Sequence, residues 1–586
     1  MTSDNIFSKH RGTQNSGTRS SRWLWPVALV VGMFGTLQFH LPQFASRFDV
    51  FPGDRGDGRL VPFLLEHWYQ VIKGNNSWLS PPMFYPVKGT MGYADLLVAY
   101  ALPYSALREI GLGIFEASTF TVVLLNFLNY LICFVLLKKV LCLNLLASCA
   151  GAFFFAFNSP KLVQLGHLQL QPLIFLPLAL IFVLLFVHQA KETDQRKAFV
   201  LLSLSALCLD FQLLTGFYPA WFFIFWCSLF LLLAFLFKAT RDFILSLLRM
   251  FWRAALGATA VFVVGLIPFL IVYVPILREF GGRPFDEVRD LIPRFWSLFL
   301  MGERNYLWDN LYAAVLRAYP MHPELQIGIG LVPSLAWLAI AGFAIWLVIK
   351  NRKAKSTHGS QAAESEFTAS VNQMFLALLI LSTTLFYILG MRYWQGYSPW
   401  KLVHAIVPGA SGVRAVARYV MLLTLPMSIG FAFMIQFAAD RISSLKDLTR
   451  QRVLLAALVL TVAFGLFEQL ARKERFNGYP IKAETAYLNN LAAALPADCQ
   501  SFYVAVGPGG KRNAFEYQID AILVSVLRDI PTLNGYSGQL PPGWPLWEVQ
   551  GVDYETYVKK WIEERKLGGN ICRLVIDENS TGLVAY

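Results

Sequence analysis

The chain has 586 residues, of which 56% are hydrophobic and only 15% are charged, whereas soluble globular proteins carry about 25% charged residues. This shortage of charge excludes an ordinary soluble protein and is typical of a chain that crosses a membrane many times. The net charge of +13 does not indicate nucleic-acid binding, because the basic residues lie mainly in short loops between apolar runs.

Eleven apolar segments reach or approach the roughly 20 residues needed to cross about 30 Å of hydrocarbon. We predict spans at 23–42, 118–137, 143–158, 168–188, 198–215, 217–237, 254–277, 327–349, 372–390, 417–438 and 453–470. The segments that connect these spans lie alternately on the two sides of the membrane. Lysine and arginine are more than twice as dense in the set of segments that contains residues 1–22 as in the other set. By the positive-inside rule, the N-terminus is therefore cytoplasmic and the C-terminus extracytoplasmic.

Two segments need a separate interpretation. Residues 1–22 are polar and rich in Ser, Thr and Arg, which predicts a disordered cytoplasmic N-terminus. Residues 93–111 are apolar enough to suggest a further span, but counting them would place the basic residues 350–355 outside. We therefore predict an interfacial or re-entrant helix within a long outer loop, 43–117, whose aromatic and proline residues argue against disorder.

The tail, residues 471–586, has soluble patterns. Helices are predicted at 484–495, 515–527 and 553–567, and strands at 500–506 and 572–577. Alternating helices and strands favour a small α/β domain with parallel strands. The predicted fold class is an α-helical polytopic membrane protein, with a transmembrane domain at 23–470 and an extracytoplasmic α/β domain at 471–586.

Cys499 and Cys572 are the two cysteines of the tail, and each stands where a predicted strand begins. Neighbouring parallel strands about 4.8 Å apart would bring the two within the Cα separation of about 4.4–6.8 Å that a disulfide permits. An extracytoplasmic tail lies where disulfides persist. We predict a disulfide, with two buried free thiols as the alternative.

Polar residues in the first outer loop could carry chemistry. Asp54 and Asp57 lie in a glycine-rich segment soon after the first span, with Glu66 and His67 close behind. Asp-Gly pairs also simply build turns. As a catalytic base Asp54 is the first choice, because Asp57, followed by Gly58 and Arg59, could be held in a salt-bridged turn.

Further polar residues are predicted near the same membrane face. Asp210 lies in the outer third of a predicted span, where an ionisable group is costly and indicates either function or a structural ion pair. His167 and Gln169 open the span 168–188, with Gln171 in the next turn. An interfacial histidine with no further role is the alternative interpretation for His167.

Arg414 and Arg418 are four residues apart, which predicts that they lie on one helical face at the outer end of a span. Arginines that only anchor the helix in the headgroup region are the alternative. Two guanidinium groups suit a phosphate, and a carboxylate suits deprotonation of an acceptor hydroxyl. Sugar transfer from a polyprenyl-phosphate donor requires both a phosphate-binding group and a base for the acceptor hydroxyl.

The order of these motifs resembles bacterial membrane proteins of the C-type glycosyltransferase superfamily, over roughly residues 20–470. The motifs are GDRGDGRL, EHW, FYP, GYAD, FNSPKLVQLGHLQLQP, LTGFYP and SGVRAVARY. The resemblance implies a bacterial inner-membrane protein, a polyprenyl-phosphate sugar donor and an essential acid in the first outer loop, which maps to Asp54 or Asp57. GYAD and LTGFYP add Asp95 and Tyr218 to the expected substrate-binding residues.

The Asp-x-Asp motif of some members is absent, since the chain has Asp-Arg-Gly-Asp. The resemblance therefore leaves a divalent cation open and requires no other cofactor. Two alternative functions are a transporter or flippase and a non-catalytic protein of envelope polysaccharide assembly. The sequence has no detectable internal repeat and an odd number of predicted spans, and both features argue against a transporter.

Overall fold

The computed structural model describes residues 20–302, 304–353, 363–472, 478–507 and 510–577. Up to the middle of the chain the α-helices are Ser20–Phe39 (α1), Leu41–Ala45 (α2), Asp57–Ile72 (α3), Val98–Glu109 (α4), Ile114–Val135 (α5), Leu145–Ala156 (α6), Ser159–Val163 (α7), Phe175–Gln189 (α8), Gln195–Leu213 (α9), Phe217–Phe235 (α10), Lys238–Met250 (α11), Trp252–Gly265 (α12) and Ile267–Phe280 (α13).

The later helices are Phe285–Arg289 (α14), Asp309–Ala318 (α15), Leu331–Lys353 (α16), Ala363–Leu389 (α17), Trp400–Ile406 (α18), Tyr419–Ser443 (α19), Leu448–Phe467 (α20), Ile481–Ala494 (α21), Ala514–Arg528 (α22) and Tyr554–Glu564 (α23). The two strands are Ser501–Val506 (β1) and Ile571–Ile576 (β2). Short 3₁₀ turns and a π-helical turn join several helices.

Among the described residues, eight helices are long and apolar enough to cross a membrane. They are Ile114–Val140, Leu145–Gly166, Leu168–Glu192, Phe217–Phe235, Leu331–Lys350, Asn372–Leu389, Val416–Ser443 and Leu448–Phe467. A ninth is counted if α11 and α12, which meet at 84°, form one broken span. The helical polytopic fold class predicted from the sequence is confirmed.

Three of the eleven predicted spans do not meet the criteria of length and composition. The apolar part of α1 is Trp23–Phe39, shorter than the other spans. The predicted span 198–215 is the helix α9, which carries Arg196, Lys197 and Asp210. The predicted span 254–277 is broken between α12 and α13, where Pro268 removes a backbone donor near the start of α13.

The first loop, 43–117, contains the helices α3 and α4. The helix α4 has 12 residues, a length of about 18 Å, which is too short to cross the hydrocarbon core. The decision not to count residues 93–111 as a span therefore agrees with the structure. The loop is ordered, as its aromatic composition predicted.

The tail has the predicted alternation of helices and strands. Strands β1 and β2 pair in parallel, with Ser501 opposite Ile571 and Val506 opposite Ile576. A disulfide joins Cys499 and Cys572 across the start of this pair, with the Cα atoms 5.8 Å apart. The predicted bridge is thus confirmed.

The tail packs on the first loop. The backbone N–H groups of Phe84 and Tyr85 donate to the carbonyls of Asn534 and Thr532, at 2.8 and 2.9 Å, and α22 packs on α3. The first loop and the tail therefore form one layer at one end of the helix bundle.

Candidate active site

The two aspartates of the first loop have different surroundings. The Oδ1 atom of Asp54 accepts hydrogen bonds from the backbone N–H groups of Gly56 and Gly58, at 3.0 and 2.9 Å. This is the turn-building role that Asp-Gly sequences favour. Asp57 is the first residue of α3, where the positive end of the helix dipole stabilises a carboxylate.

Both carboxylate oxygens of Asp57 have polar neighbours from distant parts of the chain. The hydroxyl of Tyr536 donates to Oδ1 at 2.7 Å, and Nε2 of His167 lies 3.3 Å from Oδ2. Burial alone would raise the pKa of Asp57, but these two neighbours and Arg418 lower it to about 2. Asp57 is therefore an ionised carboxylate at neutral pH, although 37% of its side chain is exposed.

Glu324 lies beside Asp57 in a 3₁₀ turn between α15 and α16. It accepts two hydrogen bonds from the guanidinium of Arg418, at 2.9 and 2.5 Å, and one from Gln164 at 3.1 Å. Its Oε1 atom is also 3.5 Å from His167 Nε2. Burial would raise the pKa of Glu324, but Arg418 and the other donors lower it to about 2.

Arg414 and Arg418 both border the site but do not lie on one helical face. Arg414 lies in a bend, Arg418 ends a 3₁₀ turn, and α19 begins only at Tyr419. The prediction of a shared helical face is therefore wrong. Arg418 is buried over the ring of Tyr218 at 5.3 Å, and the hydroxyl of Tyr218 accepts from the backbone N–H of Arg414 at 2.9 Å. Within the part of the chain that the structure describes, Arg414 is exposed and forms no ion pair.

A cavity of about 460 Å³ adjoins these residues. Its polar lining includes Asp57, Asp95, Gln169, Tyr218, Arg414 and Arg418. Its apolar wall comes largely from one face of α13, with Phe269, Leu270, Tyr273, Val274, Ile276 and Leu277. The cavity therefore has a charged end and an apolar side.

Asp95 is a second carboxylate on the cavity wall. Its Oδ1 atom accepts from the backbone N–H of Phe217 at 3.0 Å. Burial raises the pKa of Asp95, and the nearby Asp57 raises it further, against the opposite effects of the Phe217 N–H and Arg418. The structure thus places a carboxylate with a lowered pKa and one with a raised pKa around the same cavity.

Four of the expected substrate-binding residues do not line the cavity. His167 lies next to the cavity and contacts Asp57, whereas the other three lie elsewhere. Glu66 accepts hydrogen bonds from Arg108 and Tyr104 at the far side of α3. His67 is fully buried, and burial lowers its pKa to about 4. Asp210 is 3% exposed, packs against Gly265 at the end of α12, and has no hydrogen-bond partner among the described residues.

Sequence reasoning did not select Glu324, Tyr536 or Arg283, which lines the cavity. Glu324 belongs to the connection between the predicted spans 254–277 and 327–349, and its role depends on Arg418, which lies 94 residues away. Tyr536 stands in a segment of turn residues and aromatics, and nothing local connects it with Asp57. No local pattern of composition or spacing marks any of these three residues.

No group of three His, Cys, Asp or Glu side chains among the described residues has the geometry of a metal site. Asp57 and Glu324 instead share His167 between them, and Glu324 is occupied by Arg418. No step is therefore assigned to a metal ion.

Comparisons with known proteins give structural similarity only. No family model and no curated protein matches the sequence. Among solved structures, the chain is similar to an oligosaccharyltransferase of Archaeoglobus fulgidus in the apo form, at 11% identity over 92% of this chain and 68% of that one, with a TM-score of 0.49.

Two further solved structures are similar. The arabinofuranosyltransferase AftD from mycobacteria is 16% identical over 89% of this chain and 32% of that one, with a TM-score of 0.46. ArnT from Cupriavidus metallidurans bound to undecaprenyl phosphate is 12% identical over 88% of this chain and 86% of that one, with a TM-score of 0.38. At these identities and TM-scores, function is inferred from the residues of the site.

Proposed function

We propose that this protein is a membrane glycosyltransferase that moves a sugar from a polyprenyl-phosphate donor to a hydroxyl group of an envelope glycan, lipid or protein. The observation that carries the proposal is one cavity bordered by an ionised carboxylate, Asp57, by a guanidinium without a carboxylate partner among the described residues, Arg414, and by an apolar helix, α13. A base, a phosphate-binding group and a surface for a lipid chain are what this reaction requires.

The apolar wall supports entry of the donor from the lipid. Leu270 and Leu277 line the cavity and remain 42% and 57% exposed. Ile267 and Ile271 on the same helix are 47% and 48% exposed. An apolar surface therefore continues from the cavity along the outside of α13, where a polyprenyl chain would replace lipid tails at little cost.

In the proposed reaction, the acceptor oxygen forms a bond to the anomeric carbon while the bond from that carbon to the phosphate oxygen breaks. The hydroxyl proton goes to Asp57, and the polyprenyl phosphate leaves with the bonding electron pair. Arg414 stabilises the negative charge that develops on the phosphate. Asp95, whose pKa burial raises, lies on the same wall and is placed to hydrogen-bond the sugar.

The proposed side of the membrane is the extracytoplasmic one. Lys138 and Lys139 lie at one end of the span Ile114–Val140, and the next span, Leu145–Gly166, returns and ends beside His167. The lysines and the site are therefore at opposite ends of the bundle. Since lysine and arginine are concentrated in cytoplasmic loops, the site faces outward, in agreement with a location in a bacterial inner membrane.

The activity is tested with the full chain purified into lipid nanodiscs. Polyprenyl-phosphate donors carrying different radiolabelled sugars are supplied with envelope glycans, and both release of polyprenyl phosphate and labelling of the acceptor are measured. Transfer that is lost in Asp57→Asn supports the proposal. Movement of the lipid-linked sugar between leaflets of proteoliposomes, without cleavage of its phosphate bond, would instead identify a flippase.

The orientation is tested separately by fusing a phosphatase that is active only outside the cytoplasm. A fusion after residue 480 is expected to be active and one after residue 446 inactive. The opposite pattern would place the site, and with it the donor, on the cytoplasmic face.

A further inference from the structure

Glu324 is a carboxylate at the site that cannot itself serve as the base. It is 6% exposed, and its oxygens already accept from Arg418 and Gln164. A buried carboxylate with this many donors is held ionised. Any effect of Glu324 on the substrate is therefore transmitted by the residues that it contacts.

The first of those neighbours is His167. Its Nε2 atom lies between Oδ2 of Asp57 at 3.3 Å and Oε1 of Glu324 at 3.5 Å. An ionised carboxylate only accepts hydrogen bonds, so Nε2 is assigned as the protonated nitrogen from its surroundings. Both carboxylates therefore face the same nitrogen, and its single N–H lies between Asp57 and Glu324 and links their positions.

The second neighbour is Arg418. Glu324 binds its guanidinium through two hydrogen bonds, which sets the plane of the group over the ring of Tyr218. Tyr218 in turn holds the backbone N–H of Arg414. One carboxylate therefore connects the part of the cavity with the base to the part with the phosphate-binding arginine.

We propose that Glu324 is a positioning residue that acts on Asp57 through His167 and on the phosphate-binding side through Arg418. The inference rests on the proposed transferase function and concerns the geometry of that reaction. Because displacement of a reacting group by about 1 Å can cost on the order of 10²-fold in rate, Glu324 affects kcat without touching the substrate.

The central test is a double-mutant cycle between Glu324→Gln and His167→Gln, read as kcat at saturating donor. We expect Glu324→Gln to lower kcat by about 10- to 100-fold, and to lower it by a clearly smaller factor when His167 is already Gln, because only the effect through Arg418 then remains. Equal losses in both backgrounds would overturn the proposal, as would an unchanged kcat in His167→Gln.

Two further variants test whether a loss of kcat arises only from damage to the fold. Glu324→Gln leaves the buried Arg418 without its charged partner, so Glu324→Asp keeps the charge while shortening the side chain by one methylene, and it is also expected to lower kcat. The matched control is Asp309→Asn. Asp309 lies in the same loop, is fully buried against Arg472 at 2.5 Å, and does not line the cavity. A loss of kcat in Asp309→Asn as large as that in Glu324→Asp would reduce Glu324 to a structural role.

A spectroscopic measurement separates this proposal from the proposed function. In protein with ¹⁵N-labelled histidine, the resonance lost in His167→Gln is expected to show a proton on Nε2, to move in Glu324→Gln and to stay unchanged in Asp309→Asn. If the chemical shift of the His167 resonance is unchanged in Glu324→Gln, the positioning role is refuted even without a transfer assay. A wild-type protein that transfers no lipid-linked sugar, but shows the expected resonances, counts against the transferase alone.

Discussion

Two clusters of arginines and carboxylates lie within a few residues of each other on α3. The cavity cluster consists of Asp57, His167, Glu324 and Arg418. The sealed cluster consists of Arg59, Glu484, Arg512 and Asp520. In the sealed cluster, Nη2 of Arg59 is 2.5 Å from Asp520 Oδ1, and Nη1 of Arg512 is 2.8 Å from Asp520 Oδ2, while Glu484 also contacts Arg59.

Access to the surface distinguishes the two clusters. The side chains of Arg59 and Asp520 are fully buried, whereas Asp57 is 37% exposed and borders the cavity. Removing one partner from a fully buried pair leaves an uncompensated charge and costs about 3–5 kcal/mol. The same chemical groups therefore stabilise the attachment of the tail at one point of α3 and are available to a substrate at another.

The sharpest test of this comparison is Asp57→Asn set against Asp54→Asn. Asp57→Asn is expected to lower kcat by about 10²- to 10⁴-fold, the contribution of a general base, and to lower stability modestly, because the contacts that lower the pKa of Asp57 also stabilise the folded state. Asp54 caps the turn before α3 and does not line the cavity, so Asp54→Asn should act mainly on stability. Transfer kinetics and thermal unfolding of both variants provide the measurement. The reverse order of effects would restore Asp54, the first choice from the sequence.

The second test breaks the sealed cluster. Arg59→Met is expected to lower the free energy of unfolding by about 3–5 kcal/mol, because Glu484 keeps only the more distant Arg55 and Asp520 keeps only Arg512 as a charged partner. Arg55→Met is the matched control. Arg55 is 43% exposed and 3.7 Å from the same Glu484, so its loss should cost no more than about 1 kcal/mol. Similar stability of the two variants, measured by thermal unfolding in nanodiscs, would contradict the distinction by burial.

The third test concerns the arginine without a carboxylate partner in the described chain. Arg414→Ala should lower kcat/KM for the lipid-phosphate donor at least about tenfold, since one charge-assisted contact contributes about 1.5–3 kcal/mol. Arg289→Ala is the control, because Arg289 is on the surface at 45% exposure and outside the cavity lining. Unchanged kinetics in Arg414→Ala would favour a role in anchoring at the membrane surface.

The smallest expected effect is that of Tyr536→Phe. It removes the hydrogen bond to Asp57 and leaves the ring in place. Since this bond exists both before and during the reaction, only part of its free energy affects the barrier, and we expect a loss of about three- to tenfold in kcat. Tyr503→Phe is the control, because its hydroxyl donates to Glu555 within the tail. Equal kinetics in both variants would remove Tyr536 from the site.

The sequence predicted which residues form the site better than it predicted how they are arranged. The aspartates of the first loop, His167 and the two arginines carry local signals of composition or spacing, whereas Tyr218 is expected only from the family resemblance of LTGFYP. The sequence alone favoured Asp54 over Asp57, because the capping of a turn and the start of a helix three residues later could not be separated from spacing.

Long-range pairing explains the rest of the difference. Glu324 and Tyr536 have no local pattern that marks them, and they are recognised only because the fold brings them to Arg418 and Asp57. The elements themselves follow local rules more closely. The predicted strands and the disulfide of the tail are present, and the broken span at residues 254–277 follows from Pro268, a rule that applies to any helix.

The hydrogen bond between Tyr536 and Asp57 joins residues that are 479 positions apart. The first loop is synthesised early and the tail that supplies Tyr536, Glu484 and Asp520 comes late. In the proposed orientation, the surroundings of Asp57 are therefore complete only after the tail has crossed the membrane and docked on the first loop. Under the proposed function and orientation, transfer activity would appear only after translocation of the tail has finished, and a nascent chain whose membrane helices are already inserted would still be inactive toward lipid-linked sugars.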